Sequence, residues 1–317
     1  MPDSMSRRSF LALAGSAFGT ALAFPMGAQA RPLRTHSAAT PGPAPSEPVI
    51  RIDVAGGFVP AEVAYSTIPK FVLYATGSVI FEGPVPLIYP PPVLPNLRQT
   101  MLTEAGVQMV VSAAREAGLL DGNRRYENHL VADAPTTVFT VWADGHVTRV
   151  MVYALAYGND PSWSPAEREA VERIRHFYEQ AMDLVSWLPA EVIVRADEPY
   201  PIERLQVIAE PIDPAAPTPD PHDPIANQPA KDWPLPVSLG NLERLSLPGL
   251  PDSARCAVFS DEEAQILVSA FRQANLRTPW ISDGTTYHLY VRPLLPGESG
   301  CPPPDPFAEP GLATPAG

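Results

Sequence analysis

Thr103-Glu104-Ala105-Gly106-Val107-Gln108-Met109-Val110-Val111-Ser112-Ala113-Ala114-Arg115-Glu116-Ala117-Gly118-Leu119 has a counterpart at Ser260-Asp261-Glu262-Glu263-Ala264-Gln265-Ile266-Leu267-Val268-Ser269-Ala270-Phe271-Arg272-Gln273-Ala274-Asn275-Leu276. Seven of the 17 aligned positions are identical: Gln108, Val111, Ser112, Ala113, Arg115, Ala117 and Leu119 match Gln265, Val268, Ser269, Ala270, Arg272, Ala274 and Leu276. In the first copy Val107, Val110, Val111, Ala114 and Ala117 recur at helical spacing. Thr103 is placed as N-cap, with Leu102 and Val107 set for a hydrophobic staple. In the second, Ser260 is the cap, Glu263 stands three on, and the helix is expected to reach about Asn275. Each copy is followed by a Thr-Thr pair, Thr136-Thr137 and Thr285-Thr286, that opens a strand. A helix that leads into a strand, met twice, predicts an α+β fold of two small antiparallel sheet-plus-helix units related by an internal repeat.

Strand patterns extend outward from the first copy. Val49-Ile50-Arg51-Ile52-Asp53-Val54 alternates and ends at Gly56-Gly57. Phe71-Val72-Leu73-Tyr74 and Ser78-Val79-Ile80-Phe81 flank Ala75-Thr76-Gly77 as a hairpin. Thr136 to Val141 and Val147 to Val152 flank Asp144-Gly145 as another. Ser164-Pro165-Ala166-Glu167 is a capping box with proline at the first helical position. Behind it Val171, Ile174, Tyr178, Ala181, Val185 and Leu188 predict one buried stripe running to Pro189. In the second copy, Leu205 to Ala209, Cys256 to Phe259 and Tyr287 to Val291 read as strands. The expected domains are residues 48–190 and 200–301. A disordered spacer precedes them at 31–47, and a disordered tail follows at 302–317.

Pro69-Lys70-Phe71-Val72-Leu73-Tyr74, Gly77, Ala114-Arg115-Glu116-Ala117-Gly118-Leu119, Asp133-Ala134-Pro135-Thr136-Thr137 and Asp144-Gly145 occur in an order that resembles a family of uncharacterised bacterial secreted proteins and lipoproteins. The resemblance covers about residues 67–188, and Gly56-Gly57-Phe58-Val59-Pro60 extends it. It implies export and brings no activity, cofactor or catalytic residue. Many members carry a lipid-attachment cysteine, which this chain lacks near its cleavage boundary.

The first thirty residues read as a cleaved signal. Ser6-Arg7-Arg8-Ser9-Phe10-Leu11 is a twin-arginine motif, an apolar run follows to Phe24, and Ala28-Gln29-Ala30 fits a small-residue cleavage site. That run is too short to span a bilayer, so the mature chain is expected to carry no integral membrane segment. The expected location is periplasmic or extracellular, by the twin-arginine pathway. In an oxidising compartment the two cysteines of the chain, Cys256 and Cys301, predict one disulfide.

The net charge of −13 opposes nucleic-acid binding. Proline is 41 of 317 residues, well over twice the usual share of about 5%. It concentrates in residues 84–95, with six prolines, and in residues 211–236, with nine, which are expected to lack regular core structure. Long proline-stiffened loops with aromatic residues suit recognition, so Tyr89, Trp233 and Trp280 are the candidate ligand-binding residues. No metalloprotease helix, phosphate loop, dinucleotide fingerprint or Cys-x-x-Cys is present, and no catalytic residue, cofactor or metal is expected. Asp220-Pro221-His222-Asp223 reads as a solvated turn, and His129 near Asp133 as the nearest thing to an acid–base pair. The expected function is an exported, non-catalytic binding or interaction protein with a glycan or protein partner. The alternative is an extracytoplasmic hydrolase assembled from dispersed His and Asp residues.

Overall fold

The computed structural model describes residues 47–215, 223 and 227–308. The expected signal segment, almost all of the expected spacer, His36 and His222 lie outside the described residues.

In chain order the elements are β1 (Pro48–Ala55), α1 (Ala61–Ala64), β2 (Phe71–Tyr74), β3 (Ser78–Glu82), β4 (Leu97–Leu102), α2 (Glu104–Glu116), β5 (Arg124–Tyr126), β6 (Thr136–Ala143), β7 (His146–Tyr153), α3 (Pro165–Met182), α4 (Leu184–Trp187) and β8 (Ile193–Pro199). Then come β9 (Arg204–Pro211), β10 (Lys231–Asp232), β11 (Glu243–Arg244), β12 (Arg255–Ser260), α5 (Asp261–Phe271), β13 (Trp280–Ser282) and β14 (Thr285–Pro293). The chain is a mixed α+β protein with two sheets. The first has the order β5-β7-β6-β1-β2-β3-β4-β8, and the second β10-β13-β14-β9-β12-β11.

Local chemistry accounts for these elements. Thr103 caps α2 by accepting from the Gly106 amide, and Ser164 with Glu167 closes a reciprocal capping box on α3. Asp144 and Gly145 both adopt positive φ (54° and 75°), as a two-residue turn matched to strand twist requires, and Asp283-Gly284 repeats this between β13 and β14. At the β2–β3 turn Gly77 has φ +88°, and a Cβ there would stand 2.3 Å from the Leu102 carbonyl oxygen. Only glycine lets β4 close onto that turn.

Several expectations need correction. The helix after Ser164 breaks at Asp183 (φ −118°, ψ 46°), so the stripe shifts register: Leu184 is buried and Val185 exposed. Ser260 makes no capping bond to the α5 backbone, bonding the Asp261 carboxylate instead, and α5 ends at Phe271. The segment 211–236 contributes a short strand, β10, and sends Trp233 and Leu235 into the core. Residues 302–308 of the expected disordered tail are described and lie against the first sheet.

α2 and α5 each follow the strand second from one edge of a sheet and lead on to a hairpin at the other side, β6–β7 and β13–β14. Three strands separate the helix-bearing strand from the hairpin in the first sheet, one in the second. One face of each sheet packs on its helices: Ile50, Ile52, Phe71, Phe139 and Val150 with α2 and α3, and Leu205, Val207, Leu289 and Val291 with α5. The other faces are covered as well. Ile68, Val72, Tyr74, Ile80 and Leu97 of the first half form one cluster with Leu295 of the second.

A buried ion cluster lies between the two halves. Glu298 accepts from Arg292 at 2.9 and 2.7 Å and from Arg51 at 2.8 Å, and Arg51 also grips Asp53 at 2.7 and 2.9 Å. Burial opposes ionisation of the Glu298 carboxyl, but the charges of Arg292 and Arg51 and the Leu295 amide outweigh it and hold its pKa below the usual carboxylate value. Cys256 on β12 and Cys301 stand at disulfide distance, 6.1 Å between Cα atoms, and so pin the turn that carries Glu298.

Candidate functional site

The register of the first sheet gathers its most exposed apolar residues at one end. Ala55 pairs with Thr136 and Thr136 with Tyr153, while Phe71 pairs with Phe81 and Glu82 with Leu97. The loop after β1, the proline segment between β3 and β4, the loop before β6 and the loop after β7 therefore leave from the same rim. From β7 to β4 that rim spans five strand spacings, roughly 24 Å. Along it Phe58 is 93% exposed, Leu87 fully exposed and Tyr89 62% exposed, joined by Ile88, Leu130 and Tyr157. An apolar side chain left wholly in water gains nothing from folding, and several of them share this rim.

The proline segment is anchored at its second part. Pro91 accepts from the Leu276 amide at 3.0 Å, Pro92 bridges to Asn275, and Val93 enters the second core. Pro84 accepts from the Asn96 side chain at 2.9 Å. Between these ties Val85 to Tyr89 projects, its prolines limiting the backbone freedom that binding would remove.

Of the three aromatics expected to recognise a ligand, Tyr89 alone is exposed. Trp280 is 2% and Trp233 8% exposed. Their rings meet edge to face at 6.4 Å, and both pack on Phe271 over the sheet. The Trp233 indole donates to the Val237 carbonyl at 2.8 Å, which satisfies its one polar atom. This corrects the choice of Trp233 and Trp280 as ligand-binding candidates: here the proline-rich chain wraps the second sheet and both rings are core. Leu87 and Ile88 flank Tyr89 in the sequence and were legible as neighbours. Phe58 and Leu130 reach the same rim through register alone, which no local signal carries.

His129 and Asp133, the nearest thing to an acid–base pair in the sequence, both take part in loop structure. The backbone amide of His129, not its ring, donates to buried Asp160 at 2.7 Å. Asp160 is held below its usual pKa chiefly by its bonds to Ser162, and it knots the loop. Asp133 is a turn residue with φ 57° whose carbonyl accepts from Phe58. Among the described residues no group of three or more His, Cys, Asp or Glu could hold a metal ion, and no helix is long and apolar enough to cross a membrane. No protein-family model, no curated protein and no solved structure matches the chain.

Proposed function

We propose that this is an exported binding protein that works without catalysis, docking onto a partner protein through the loops at the rim of the first sheet. The observation that carries the reading is Leu87, fully exposed at the projecting tip of a proline-stiffened loop between exposed Val85 and Ile88. Aliphatic side chains offer nothing to a sugar beyond contact, whereas they fill apolar pockets on proteins, so a protein partner fits better than a glycan. Export rests on the Arg7-Arg8 motif and the Ala28-Gln29-Ala30 boundary, and the cysteine pair at disulfide distance suits an oxidising compartment. The likeness of Thr103–Leu119 to Ser260–Leu276, and the similar sheet positions of α2 and α5, support descent of the two halves from one duplicated unit.

The test is site-specific photo-cross-linking in the producing cell. A photoreactive residue at Ile88 should give one discrete adduct with a second protein, and the same residue at Ile266, exposed on α5, should not. Adding Leu87→Asp should abolish the adduct. Equal labelling at both positions, or no adduct at Ile88, would overturn the reading.

A further inference from the structure

The proline segment between β3 and β4 is tied at both shoulders of its projecting part. The Gly83 amide donates to the Asn96 carbonyl at 2.8 Å, and the Asn96 side chain donates to the Pro84 carbonyl at 2.9 Å. At the other shoulder Pro91 accepts from the Leu276 amide, and Pro92 bridges to Asn275. Between the two ties the Ile88 amide donates to the Pro86 carbonyl at 2.9 Å. That bond spans a single residue and closes a γ-turn with Leu87 at its centre. Leu87 is thus the apex of a convex bend, with its side chain fully exposed.

The sequence sorts the backbone donors of this loop. Pro84, Pro86 and Pro90 have no N–H, and the turn takes up the amide of Ile88. The amides that remain belong to Val85, Leu87 and Tyr89, every second residue, and none of the three has a partner among the bonds described. All three side chains are exposed. A donor and a side chain at every second residue are what a cleft for an extended peptide reads: main-chain bonds give affinity, and pockets for alternate side chains give specificity. The edge of a sheet accepts a straight strand, which the turn at Leu87 interrupts. A convex apex with one apolar side chain fits instead a concave cleft with one deep apolar pocket, as an endopeptidase presents to its substrate. Pro86 offers no amide to hold in such a cleft, so the bond presented there is the one that follows Leu87.

We propose, on the reading that the rim docks onto a partner protein, that residues 85–89 enter the active-site cleft of an exported endopeptidase as a substrate would and inhibit it, with Leu87 in an apolar specificity pocket. The shoulders make the loop an inhibitor rather than a substrate. The prolines and the two ties fix its shape before binding, so little freedom is lost in the cleft. Hydrolysis would add water across the Leu87–Ile88 bond, leaving a carboxylate on Leu87 and an amine on Ile88. Both new ends stay tethered to the scaffold side by side, so neither diffuses out of the cleft and the reverse step, which expels the water, stays open.

The experiment measures inhibition by the full chain of chymotrypsin and subtilisin, which accept apolar side chains before the cut, and of trypsin, whose pocket is acidic. The unaltered chain should inhibit at least one of the first two and leave trypsin active. Leu87→Arg, at a position wholly in water where the fold is not at stake, should reverse that preference by about a hundredfold, and Ile266→Arg on α5 should not move it. Asn96→Ala, which frees the Pro84 carbonyl, should weaken inhibition about tenfold and speed cleavage after Leu87. Inhibition of none of the three enzymes, rapid cleavage at Leu87–Ile88 without inhibition, or a preference unmoved by Leu87→Arg overturns the proposal. Cross-linking at Ile88 reads the docking surface separately. An adduct with a protein that is not a peptidase overturns this proposal alone, whereas the lack of any adduct overturns the docking reading beneath it.

Discussion

Glu298 is nine-tenths removed from water, with two guanidinium groups on its carboxylate. Arg51 has a second partner in Asp53, whereas Arg292 has beyond Glu298 only the neutral Thr67 carbonyl, at 2.9 Å, among the bonds described. Removing the carboxylate therefore strands Arg292. Glu298→Gln should cost about 3–5 kcal/mol, as loss of one member of a buried pair does. The pH dependence has a definite sign. Because the folded-state pKa of Glu298 lies below its unfolded value, the unfolded chain binds the proton more tightly. The stabilisation is complete above the unfolded value of about 4.3 and is lost as pH falls through the folded value. Urea midpoints of the parent and Glu298→Gln should converge as pH is lowered from 7 towards 3. A constant gap would mean that charge is not what the residue contributes.

At the scale of elements, the two proline-rich segments look alike in sequence and behave oppositely. Residues 85–89 leave their apolar side chains in water, while 233–235 deliver Trp233 and Leu235 to the second core. Proline content reports stiffness, and stiffness alone does not say whether a loop wraps a sheet or projects from it. Tyr89→Ala and Leu87→Asp should thus move stability by no more than about 0.5 kcal/mol. Trp233→Ala should cost about 3–5 kcal/mol, the usual loss for a large buried aromatic. Thermal melts of the three variants decide it, and a Tyr89→Ala chain as weakened as Trp233→Ala would place that loop in the core. The same physics explains what the sequence made legible. Hairpin turns at Asp144-Gly145 and the caps at Thr103 and Ser164 are local backbone chemistry and could be read directly. β4 escaped because Leu97-Arg98-Gln99-Thr100 has neither a β-branched run nor a marked turn, and β8 because its β-branched start, Ile193-Val194, gives way at once to the charged run Arg195 to Glu198. The candidate site was legible only at Tyr89 and its neighbours, since Phe58 and Leu130 come to the same rim through strand register.

At the scale of the whole molecule, alternation misleads where a sheet is covered on both faces. Arg51 and Asp53 alternate with Ile50 and Ile52 as solvent-facing residues would, and Arg292 sits in the run of β14, yet all three are shielded by the other half of the chain. The described residues from 47 onward belong to one compact unit. Tyr65 meets Tyr290 edge to face at 6.0 Å, Arg292 donates to Thr67, and Val93 sits in the second core. Cutting the chain after β8 would uncover Ile68, Val72, Tyr74, Ile80 and Leu97 and leave Arg51 without Glu298. The intact protein should therefore unfold in a single transition, with far-ultraviolet circular dichroism and tryptophan fluorescence superimposing. A fragment of residues 48–199, although it holds the whole eight-stranded sheet, should lack a cooperative transition and bind a hydrophobic dye, as a chain with secondary structure but incomplete packing does. Cooperative melting of that fragment near the midpoint of the intact protein would show instead that the helix-facing core of Ile52, Phe139 and Phe177 suffices on its own, and that the ion cluster and the shared apolar layer join two halves already folded.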